Sequence, residues 1–116
     1  MGARTVVSLS RRDEARLVEG VDALVAGGLT VVDAYRALAS GSATRAGKVR
    51  TAAAAVAAAL ERGLGLHASV TSSVARIDPV HAAMLGVADA TGDVRTVFGR
   101  TRRFLDRSEE RRVGKE

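Results

Sequence analysis

Few side chains in this sequence have the chemistry to act near neutral pH. His67 and His81 are its only histidines, and imidazole is the one side chain whose unperturbed titration falls between about pH 5 and 8. They lie on separate predicted helices, and neither has a partner at useful spacing. A zinc site takes roughly three or four ligands. With no cysteine in the chain, both histidines would have to recruit carboxylates that the sequence does not cluster around them. Serine and threonine are plentiful, but none sits on a strand-to-helix elbow flanked by glycines, the setting of a hydrolase nucleophile. Gly63-Leu64-Gly65 has the first two glycines of a phosphate-binding turn. No strand precedes it, no third glycine follows, and no Lys-Ser or Lys-Thr pair closes a P-loop, so a helix stop explains it. These residues predict no catalytic group and no cofactor.

Two constellations stay open. Asp89 and Asp93 flank Ala90-Thr91-Gly92 at the junction of two predicted helices, where they could offer carboxylates to a hard cation such as calcium. The competing role is capping, since Asp93 stands where it would cap the last helix and favour its positively polarised end. On that last helix Arg100, Arg102, Arg103 and Arg107 form a basic surface. Phe104 lies off the helix's inward stripe. These residues are the candidates for partner contact, with a solvated charged face as the alternative.

The elements that must position these groups are helices. At 116 residues the chain has room for one core, since single domains usually enclose about 100 to 200 residues. Apolar residues make up 47% of it and aromatic residues 3%, so the core must be built from Ala, Val and Leu. Burying a Val or Leu is worth roughly 1.5 to 3 kcal/mol and an Ala less. A core so poor in large groups predicts modest stability and self-association, as a homodimer, through an Ala-rich or last-helix surface. The longest apolar run, Ala52 to Leu60, falls well short of the roughly 20 residues needed to span a bilayer.

Hydrophobic periodicity is helical nearly throughout, predicting an all-α compact bundle of about six short, roughly antiparallel helices. The domain is expected over 10–112, after a lead-in at 1–9 and before a tail at 113–116. Ser10 caps the first predicted helix, with Asp13 at capping-box spacing, and Leu17, Val21 and Leu24 share a face; Gly27-Gly28 ends it. Thr30 caps the second, to about Ala39. The third runs from about Ala43 to Arg62 with Val49, Ala53, Val56 and Leu60 on one stripe. Gly63-Leu64-Gly65 stops it, and a short fourth helix follows to about Val74. Asp78-Pro79 reads as N-cap and first residue of the fifth, whose expected inward stripe is Val80, Met84 and Val87. Gly92 stops it, and the last helix turns Val94, Phe98, Thr101 and Leu105 inward. A strand pattern competes only weakly, at Thr5 to Val7.

In order and spacing these points resemble the type II secretion F domain, the cytoplasmic module of inner-membrane platform proteins in secretion and type IV pilus systems. The likeness covers most of the chain. The amphipathic helix with Leu17, Val21 and Leu24 leads into a Gly27-Gly28-Leu29-Thr30-Val31 turn, then Ala34 and Leu38. Past the long helix, Gly63, Leu66 and Val70 match a short segment with hydrophobics four apart. Ile77-Asp78-Pro79 stands for the family's aromatic-Pro entry. Val87-Ala88-Asp89-Ala90-Thr91-Gly92-Asp93-Val94 stands for its signature of Ala-Gly-Glu, two variable residues, Gly, any residue and Leu, with Asp89 in place of Glu.

The resemblance implies a non-enzymatic scaffold that docks the hexameric assembly ATPase and neighbouring inner-membrane platform components at the cytoplasmic face. It also implies a membrane helix soon after the last cytoplasmic one. The Lys/Arg excess from Arg95 to Lys115 predicts the same layout, because such an excess beside a span holds a segment on the cytoplasmic side; basic residues answering the helix's C-terminal dipole are the alternative. The formal net charge of +5 admits a second function class, a small helical nucleic-acid binder. Against it, the helices after suitable turns are apolar or acidic, and the sequence has no Asn or Gln with which a recognition helix would read base edges.

Overall fold

Each helix begins and ends where local chemistry dictates. The computed structural model describes residues 6–41 and 47–114. Ser10 accepts the Asp13 N–H at 3.0 Å and starts helix α1, Arg11–Ala26. Thr30 accepts the Asp33 N–H at 3.2 Å and starts α2, Val31–Ser40. Each hydroxyl satisfies one of the N–H groups that a first turn leaves unpaired. Helix α3 spans Gly47–Glu61; its expected beginning, from Ala43, lies outside the described residues. It ends in a pair of back-bonds, from Gly63 N–H to the Leu60 carbonyl and from Leu64 N–H to that of Ala59. The motif needs a left-handed residue, and Gly63 supplies it at φ 95° without a Cβ penalty.

Helix α4 covers Leu66–Ser73. Asp78 accepts the Val80 N–H at 2.8 Å and starts α5, Pro79–Thr91, with proline at the helix start, where its missing N–H costs nothing. Gly92, at φ 75°, closes α5, and α6 runs over Val94–Gly114. The described residues are thus all-α with six helices, as expected, apart from one small addition. Val7–Ser8 (β1) and Val74–Ala75 (β2) form a parallel pair with Val7 opposite Val74. The weak strand signal near Val7 was visible locally. Its partner was expected as the end of α4, but that helix stops at Ser73, and Val74 is extended at φ −123° and ψ 123°.

The core runs through all six helices. Helix α3 lies against α2 and α4, and α1 against α6. Val49, Ala52, Ala53, Val56 and Ala59 of α3 are fully buried, small side chains that let neighbouring backbones come close. The two largest buried side chains, Tyr35 and Phe98, meet edge to face with ring centroids 6.5 Å apart, a favoured aromatic geometry. The Cα radius of gyration of 13.2 Å is close to the ~13 Å of a single domain of about 100 residues. Phe98, Thr101 and Leu105 of α6 point inward as expected, joined by Val97.

The α5 stripe is a correction. Val80 and Val87 are 38% and 45% exposed, while His81, Leu85 and Ala88 are buried. Both sets have the same i, i+4, i+7 spacing, so periodicity alone does not choose between them. The choice falls to a contact from α1, described next.

Candidate functional site

Glu14 stands in the first turn of α1 and His81 in the first turn of α5. Although Glu14 is 5% and His81 1% exposed, their side chains meet with Oε2 of Glu14 2.7 Å from Nδ1 of His81. The same oxygen accepts the Asp78 N–H at 2.9 Å. Because Oε2 acts there as an acceptor, the bridging proton is assigned to Nδ1 of His81. The Nε2 atom is buried with no hydrogen-bond partner among the described residues. This pair turns His81 inward and sets the register of α5. It joins an acid to a base with both side chains buried, and the geometry is that of a buried structural tie. His67, by contrast, is exposed on α4.

Asp89 and Asp93 serve different helices. Gly65, the N-cap of α4, has no side chain to cap with. Asp89, near the end of α5, fills that role from across the fold: Oδ1 accepts the Leu66 N–H at 2.8 Å and Oδ2 the His67 N–H at 2.9 Å. A carboxylate at a helix N-terminus gains both hydrogen bonds and the favourable dipole. Asp93 accepts the Thr96 N–H at 3.3 Å, capping α6 as expected. Among the described residues no group of three or more His, Cys, Asp or Glu could hold a metal ion.

The basic candidates on α6 divide in two. Arg102 is engaged within the fold, its Nη1 donating to Asp22 of α1 at 3.3 Å and its Nε lying 3.7 Å from Asp106. The hydrogen bond to Asp22 raises the guanidinium pKa, opposed by partial desolvation and helped by the nearby charges of Glu19, Asp106 and Asp22. Arg100, Arg103 and Arg107 are exposed. Phe104 is half-buried and packs against the core. No signal in the sequence separates Arg102 from its neighbours, because Asp22 lies 80 residues away in the chain.

Comparison with known proteins places this fold. The family described as "Type II secretion system (T2SS), protein F" matches residues 23–115, from within α1 to the end of α6, and the chain belongs to that family. It is a domain of a platform protein of type II secretion or pilus machinery, part of a bacterial inner-membrane secretion protein. No curated protein matches the chain. No helix among the described residues is long and apolar enough to cross a membrane.

Proposed function

We propose that this domain is a non-enzymatic scaffold at the cytoplasmic face of the inner membrane, docking the assembly ATPase and neighbouring platform components and held there by a transmembrane helix adjoining it in the natural protein. The observation that carries this is the family match over residues 23–115. Two features of the chain support it. The Glu14–His81 pair is buried as a structural tie, and the exposed arginines of α6 offer a charged contact surface. The role asks for neither cofactor nor metal, and no step of it requires nucleic acid. Homodimerisation belongs to the same proposal, with the exposed Ala54 and Ala58 of α3 or the accessible part of Phe104 as contacts; sedimentation showing only monomer at high concentration would remove that part.

The test is genetic. Removing residues 6–114 from the full-length platform protein is expected to stop secretion or pilus assembly while leaving ATP hydrolysis by the purified ATPase unchanged. Assembly that continues without the domain would contradict the proposal.

A further inference from the structure

Three of the exposed arginines of α6 form an ordered array. Arg100, Arg103 and Arg107 follow i, i+3, i+7 spacing, which puts them on one stripe of a helix. Their rises along the axis are about 4.5 and 6 Å. All three are exposed, and none has a hydrogen bond or ion pair among the described residues. Three other arginines pair with carboxylates: Arg102 with Asp22, Arg36 with both Asp33 and Glu61, and Arg16 with Asp13. Between Val94 and Gly114 every basic residue is arginine. A guanidinium presents a planar fork that takes a carboxylate bidentately, whereas an ammonium acts as a point charge.

From this array we infer that the Arg100, Arg103 and Arg107 stripe is a docking surface for an acidic helix of a protein partner, with carboxylates at matching one-turn and two-turn spacing facing the three guanidinium forks. This rests on the scaffold proposal above and names the chemistry of the partner's surface. Charge complementarity and the matching rise of two helices carry it. A bilayer surface fits less well, because a helix lying on lipid buries large apolar side chains beside its basic ones. Among the residues whose side chains are described, the exposed large apolar ones are Val6, Leu29, Leu64, Val80 and Val87, none of them on α6.

The experiment uses the whole chain and a fluorescein-labelled helical peptide with Glu at i, i+4 and i+7 on one face. A control peptide has the same composition with the Glu residues spread around the helix, and a random DNA duplex and phosphatidylglycerol vesicles serve as competitors. The patterned peptide is expected to bind about tenfold tighter than the control, as three exposed pairs of modest strength allow, and to weaken as salt is raised. The triple variant R100K/R103K/R107K keeps the charge but loses the forks, and is expected to bring the two peptides to within about twofold of each other. Equal binding of both peptides by the wild-type chain would overturn the inference. So would vesicles or duplex DNA displacing the patterned peptide at lower concentration than the control does, pointing to a lipid or nucleic-acid surface. A separate arm measures binding of the assembly ATPase to the wild-type chain and to R100E/R103E/R107E. Equal binding to both would overturn the stripe and leave ATPase docking standing. No binding to either would overturn ATPase docking, and the peptide ratio alone would then decide the stripe.

Discussion

Glu14 and His81, 67 residues apart in the chain, meet at 2.7 Å in the interior and hold the first turn of α1 to the first turn of α5. Removing one partner of a buried polar pair leaves the other uncompensated, which costs more than the pair contributes. Glu14→Ala deprives both His81 and the Asp78 N–H of their acceptor, and a loss of about 3 kcal/mol is expected. His81→Leu strands a carboxylate and should cost a similar amount. The double variant Glu14→Leu with His81→Leu should be more stable than the sum of the single losses implies, because no buried charge is then left alone. Urea unfolding of the three variants measures this, and additive losses would show that the two residues act independently.

Tyr35 sets a ceiling on alkaline stability. Burial pushes its phenol well above the ordinary value of 10.0, since the interior disfavours phenolate. Below pH 10 both folded and unfolded states keep the proton and the fold has its full stability. Above it the unfolded chain releases the proton while the folded chain retains it, so stability falls by about 1.4 kcal/mol per pH unit from this group. Phenolate absorbance should therefore appear together with the loss of helical circular dichroism. Ionisation near pH 10 with the helices intact would contradict this placement of Tyr35.

Asp89 has both carboxylate oxygens occupied by α4 N–H groups. Asp89→Ala is expected to cost about 1 kcal/mol, as the loss of a helix cap does. Added calcium should leave the melting temperature of the wild-type chain within about a degree, because the cation would have to displace these two donors and find several further oxygens. A calcium-dependent rise of several degrees that Asp89→Ala abolishes would establish a metal role instead.

Helices α1 and α2 approach closely at Gly20. A Cβ there would stand 2.8 Å from Cδ2 of Leu38, which is itself buried. Alanine normally improves a helix interior by about 1 kcal/mol over glycine. Here overpacking costs about 1 to 3 kcal/mol, so Gly20→Ala should be net destabilising. Adding Leu38→Val, which shortens the obstructing side chain, should recover part of the loss. A Gly20→Ala variant more stable than wild type would show that the two helices separate freely.

What could be read from the sequence was what depends on neighbours in the chain. The caps at Ser10, Thr30 and Asp78, the stop at Gly92 and the inward face of α6 all follow from residues within a turn or two of each other. What escaped was set at long range. The register of α5 depends on Glu14, which selects His81 over an equally spaced and more hydrophobic stripe. Val74 leaves the helix because a strand partner arrives from Val7. Asp89 caps α4, whose own N-cap is a glycine, from 23 residues along the chain. Among the basic residues of α6, Arg102 is tied to α1 because Asp22 faces it.

The account's central claim, that this domain is a docking scaffold, is tested most directly by titrating the 116-residue chain into the purified assembly ATPase of the same secretion or pilus system and following heat of binding. The account predicts saturable binding that weakens as salt rises, with ATP left unchanged by the domain alone. Absence of binding at low salt, with the domain folded and the ATPase active, would contradict it.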